Sequence, residues 1–136
     1  MVAILDSGAS DHVSSRLDLP GHTVEPSPGS KAGKHYTAAG GKAIPNEGQA
    51  AVSVVLPAGN GKVNMGLATF QVAEVSRPLM SVSKICDQGY ACLFTKDGAQ
   101  ILDSNQRKVC EFGRPNGLYV ANMKLKSPEP FQRPAP

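Results

Sequence analysis

The stretch Ile4-Leu5-Asp6-Ser7-Gly8-Ala9-Ser10 decides how the rest of the chain is read. Residues 2–5 are continuously apolar, as an interior strand is, and they run straight into an acid, a hydroxyl and a glycine. A strand that delivers an acid to a tight turn can hold it rigidly while the carboxylate stays open to a cleft, and Gly8 lets the backbone approach closely. Many surface turns also read Asp-Ser-Gly, so the tripeptide alone is equally compatible with Asp6 as a plain turn-capping acid.

Acid–base work on a peptide bond requires two such acids. Two carboxylates about 3 Å apart share one proton and titrate as a pair, so one serves as base toward a bound water while the other serves as acid. Asp-Ser-Gly occurs once in the chain. The expected working unit is therefore a symmetric homodimer with one Asp6 from each subunit, the Ser7 hydroxyls bracing the floor of the pair.

A chain of 136 residues fits one domain and leaves no room for a second catalytic domain. Val, Ile, Phe and Tyr are spread among many Gly, Pro, Asn and Ser, which predicts an all-β domain. The formal charge of +3 is mild and its basic residues are scattered, which argues against a nucleic-acid partner. Cys86, Cys92 and Cys110 form an odd set without a CxxC pair, which argues against a disulfide framework and for a reducing compartment, the cytoplasm. The opening Met1–Leu5 meets Asp6 too soon for a signal peptide or a membrane span. Neither these cysteines nor His12, His22 and His35 show zinc spacing, so no metal or cofactor is expected, and a cysteine peptidase would need an orienting arrangement the sequence does not display.

Along the chain, 15–34 reads as a long surface loop rich in Pro, Gly and Ser, and 36–44 as a hairpin turning at Gly40-Gly41. Strands are expected at 50–56, closed by Pro57, and at 63–75, where a phase slip suggests a bulge. One short helix is expected at 81–88, stopped by Gly89. Strands at 90–94, 99–103, 108–112 and 117–122 should follow. The domain then spans 1–125, and 126–136 is a flexible proline-rich tail.

Ile4-Leu5-Asp6-Ser7-Gly8-Ala9-Ser10-Asp11-His12, Thr37-Ala38-Ala39-Gly40-Gly41, Leu79-Met80-Ser81-Val82-Ser83-Lys84-Ile85-Cys86-Asp87-Gln88-Gly89-Tyr90, Phe94-Thr95-Lys96-Asp97-Gly98 and Gly117-Leu118-Tyr119-Val120 come in that order. Together they resemble the retropepsin family, in particular the protease region of copia-type retrotransposon polyproteins, from about residue 3 to residue 123. The resemblance implies an acid-protease fold with one short helix and an aspartic endopeptidase that processes polyproteins. It implies Asp6 as the catalytic acid, Ser7 and Gly8 as the rest of the catalytic turn, Ala9 and Asp11 beside the substrate backbone, and Gly40-Gly41 as the flap over it. The family often has a further acid where Ser10 stands, so the usual partner of Arg77 is missing. The family usually also places residues before the catalytic strand in the sheet, whereas five precede Asp6 here and the chain runs about forty residues past 90–94. A rival of another class is a retropepsin-like domain that dimerises or binds peptides without cutting them.

Overall fold

A computed structural model of the chain describes residues 1–38 and 40–128. Strand β1 (Val2–Asp6) is followed by β2 (Val13–Ser14), a 3-10 turn at Arg16–Asp18 and helix α1 (Pro28–Lys31). A hairpin, β3 (His35–Thr37) and β4 (Ala43–Pro45), leads to the long strands β5 (Gly48–Gly59) and β6 (Lys62–Val72). Strand β7 (Leu79–Ser81) runs into helix α2 (Val82–Asp87). The meander β8 (Ala91–Phe94), β9 (Gly98–Leu102) and β10 (Lys108–Gly113) precedes β11 (Val120–Asn122) and β12 (Lys124–Leu125). Ten strands form one sheet in the order β12-β5-β6-β2-β7-β1-β11-β10-β9-β8, and β3-β4 form a separate pair. The chain is thus mostly β with two short α-helices, one more than expected. No helix among the described residues is long and apolar enough to cross a membrane.

Strand β5 shows why the sheet forms. Ala50, Val52, Val54, Leu56 and Ala58 alternate inward, and their partners in β6 run antiparallel from Gly48↔Val72 to Gly59↔Lys62. The sheet curls back on itself, because Asn64 Nδ2 of β6 donates to Val109 O of β10 at 2.9 Å. Phe70, Phe112, Met123, Val52, Val54, Val72 and Cys110 fill the space inside the curl, all under 2 % exposed or close to it. Each such side chain contributes about 1.5–3 kcal/mol by leaving water.

Local details differ from expectation in four places. Pro26-Ser27-Pro28-Gly29 begins a helix instead of a turn: Ser27 Oγ accepts from Ser30 N at 3.1 Å, Ser30 Oγ accepts from Ser27 N at 2.8 Å, and Pro28 sits at the first helical position. Pro57 does not close β5, which continues to Gly59, since its missing N–H faces a flank of the strand beyond the two residues paired with β12. The register shift lies there, between Pro57 and Gly59, and β6 is regular. Lys126 N donates to Ser53 O at 2.9 Å, so pairing continues one residue into the segment expected to be loose, whose residues 129–136 lie outside the described residues.

The centre of the sheet positions the Asp6 turn. β1 pairs parallel with β7 (Asp6↔Ser81) and antiparallel with β11, while β2 lies on the far side of β7. The loop Ser7–His12 that joins β1 to β2 must therefore pass over the end of β7.

Candidate functional site

Period-two alternation in β1 buries Ala3 and Leu5 and turns Ile4 and Asp6 toward a cleft of about 750 Å3. The β3–β4 hairpin and the segment Glu74–Arg77 form its other walls. Asp6 Oδ1 accepts from Gly8 N at 2.8 Å, and Ala9 N donates to Asp6 O at 3.4 Å, closing the turn. A Cβ on Gly8 would lie 3.3 Å from that same Oδ1, tight enough to disturb the carboxylate. Among the described residues no side chain bonds Asp6, which lines the cleft.

The loop is held from beneath by Ser81, which is fully buried. Its hydroxyl donates to Ala9 O at 2.7 Å and accepts from Lys84 N at 3.2 Å, capping α2. With that proton committed, Ser83 Oγ donates to Ser81 Oγ at 3.0 Å. Ser81 N donates to His12 Nδ1 at 2.9 Å, which fixes the imidazole as the Nε2–H tautomer, its ring tilted against Phe70 at 5.8 Å.

Burial, and then the Lys84 ammonium, push the His12 pKa down from 6.5, with Asp11 opposing them. The native ring is neutral where an unfolded one takes up a proton. Stability is therefore full above 6.5 and falls as pH drops below it, until the folded-state value is passed. Thermal midpoints from pH 7 to 5 should show this fall in the wild type and less of it in His12→Gln, whose amide oxygen can accept from Ser81 N. Identical profiles would mean that this bond does not hold the loop.

The site residues read from the sequence fall into two groups. Asp6, Gly8 and Ala9 line the cleft together. Ser7 is exposed and makes no side-chain hydrogen bond among the described residues. Gly40 and Gly41 take φ of 88° and 84°, and Gly41 N donates to Ala38 O at 3.0 Å, which closes the hairpin tip. Asp11 stands apart from the cleft, in a neighbouring groove of about 430 Å3. Its carboxylate accepts from Tyr36 Oη at 2.9 Å and Lys34 Nζ at 3.0 Å, with Lys84 Nζ at 3.7 Å. Burial raises its pKa, but those hydrogen bonds and charges together outweigh it and hold the group below the usual carboxylate value. Arg77 is exposed on the cleft wall and has no ion-pair partner among the described residues.

Sequence reasoning missed Ser81, Tyr36 and Asn46. Ser81 had a signal, a serine just ahead of a helical run. Tyr36 and Asn46 had none, since hairpin and turn residues look alike whether exposed or networked. Cys92 and Cys110 are poorly suited to nucleophilic work: burial and the adjoining Cys86 push Cys92 up to about 11, and burial pushes Cys110 up to about 12. Among the described residues no cluster of three or more His, Cys, Asp or Glu could hold a metal ion. Comparison with protein-family models, with curated proteins and with solved structures finds no match to this chain.

Proposed function

We propose that this chain is one half of a homodimeric aspartic endopeptidase of the retropepsin type, of the kind carried in copia-type retrotransposon polyproteins, and that its natural substrate is such a polyprotein. The placement of Asp6 carries the reading. It ends an interior strand, is oriented by its own turn, and lines a cleft walled on one side by a glycine-tipped hairpin. Among the described residues no carboxylate bonds it, and on this reading the second acid comes from a second copy. The three free thiols agree with a reducing setting, and the cytoplasm is the proposed one.

In the dimer an extended peptide lies across the two Asp6 side chains, its main chain bonded by the cleft walls and hairpin. The ionised Asp6 takes a proton from water as the water oxygen attacks the scissile carbonyl carbon. The protonated Asp6 of the other subunit donates to the carbonyl oxygen. The tetrahedral intermediate collapses when the amide nitrogen receives a proton and the C–N bond breaks. Apolar side chains flanking that bond are expected, with alternate residues read by pockets on either side.

The test is cleavage of an unstructured protein at mildly acidic pH across a dilution series, with mass measured in parallel. Neither subunit holds a complete site. Below the dissociation constant a tenfold dilution should cut activity about a hundredfold, since dimer concentration follows the square of monomer concentration. Constant specific activity in demonstrated monomer defeats the reading. Dimers that bind peptide without cutting it establish instead the non-catalytic binding module.

A further inference from the structure

The β3–β4 hairpin shares no strand pairing with the ten-stranded sheet. Its angle over the Asp6 cleft is therefore set at its root, and the root is polar. Lys34, just ahead of β3, and Tyr36 within it both bond Asp11 Oδ2. On the exit side, just after β4, Asn46 is buried and its Nδ2 donates to Tyr36 Oη at 3.4 Å and to Gln71 Oε1 at 2.9 Å. Asn46 Oδ1 accepts from Gly48 N at 2.9 Å. The entry side of the hairpin is thus tied to one carboxylate, five positions after Asp6 and with its side chain only 17 % exposed, and the exit side joins that tie through the Tyr36 hydroxyl.

We infer that Asp11 is the positioning residue of the hairpin: through Tyr36 and Lys34 it holds this wall, the proposed roof over bound peptide, at its working angle to Asp6, and it does not itself bind substrate. The inference rests on the peptidase reading only for its effect on turnover. Two observations separate it from a substrate-binding role. Asp11 faces the neighbouring groove while Lys34 and Tyr36 line the cleft. Its Oδ2 is also already engaged by a lysine and a phenol, which a peptide N–H would have to displace, while Oδ1 faces Lys84 Nζ at 3.7 Å.

The experiment uses the full chain in two arms. In the catalytically silent Asp6→Asn background, amide hydrogen exchange over residues 35–45 is compared among the parent, Asp11→Asn, Tyr36→Phe and the double variant. Each single change should speed hairpin exchange about tenfold, and the double change should add little, because both remove the same tie. Exchange in β5 should not move. In the active chain, the same variants should lower kcat and kcat/KM together by about tenfold, again without additivity, since a misplaced roof fails to cover the reacting peptide. Lys34→Met is the second route to the same result if Asp11→Asn does not fold.

Unchanged hairpin exchange overturns the inference. So does a rise in KM alone for Asp11→Asn with additive effects of Tyr36→Phe, which marks Asp11 as a substrate ligand. If the wild type cuts nothing, or cleavage survives Asp6→Asn, the peptidase reading fails, and the exchange arm alone decides the tie.

Discussion

Asp6→Asn is expected to abolish peptide cleavage while leaving the fold intact. Asparagine keeps the oxygen that accepts from Gly8 N, so the turn retains its 2.8 Å bond. It cannot take a proton from water or share one with a partner acid, and general acid–base catalysis of this sort is worth about 10^2–10^4 in rate. In the proposed dimer the change also removes the repulsion between two acids brought together at the axis, so the thermal midpoint should hold or rise. Steady-state cleavage and thermal unfolding on the same preparation check both halves. A folded variant that still turns over near the wild-type rate would remove Asp6 from the chemistry, and with it the proposed enzyme class.

Phe70→Ala should be the most damaging single core change for both stability and site. Phe70 is fully buried in β6, opposite Ala50, and its ring supports His12. Truncating a buried phenylalanine costs about 3–5 kcal/mol, through lost transfer energy and the void left behind. That is a large share of the roughly 5–15 kcal/mol that holds a domain together. The void also frees the imidazole that accepts from Ser81 N, and Ser81 in turn carries Ala9 of the Asp6 loop. Urea unfolding should show the midpoint falling sharply, with cleavage falling further than the folded fraction explains. Phe70→Leu, which leaves a smaller void, should be milder on both measures. A loss under about 1 kcal/mol for Phe70→Ala would mean that the site collapses onto neighbours and that His12 needs no support from below.

What could be read in advance is what the chain specifies locally. The Asp6 turn, the paired glycines of the hairpin and the run at 82–87 carry their own signals: an apolar run ending in Asp-Ser-Gly, two positions needing positive φ, and apolar residues at helical spacing before Gly89. The meander from β8 to β10 was legible for the same reason, since turns at Lys96-Asp97-Gly98 and Asn105-Gln106 separate short alternating runs. Strands β2, β7 and β12 have two or three residues each, too few for a period, and exist because distant partners line up beside them. In the stretch 15–34, Ser27 and Pro28 were read as turn formers although the same residue types open helices. The network of Asp11, Tyr36 and Asn46 was illegible because its bonded pairs lie 25 and 10 residues apart and meet only once the chain is folded.

The threading of β7 between β1 and β2 governs when this protein can begin to work. Both strand neighbours of β1 come from far downstream, Leu79–Ser81 on one side and Val120–Asn122 on the other. The two bonds under the loop, to His12 and to Ala9, span 69 and 72 residues. As the chain leaves the ribosome, Asp6 emerges before either and has nothing to rest on until β7 arrives, and β1 stays unflanked on its other edge until β11 follows. Contacts of such separation are slow to close. On the proposed reading, a precursor bearing this segment therefore cannot cut before the segment has been made through β11.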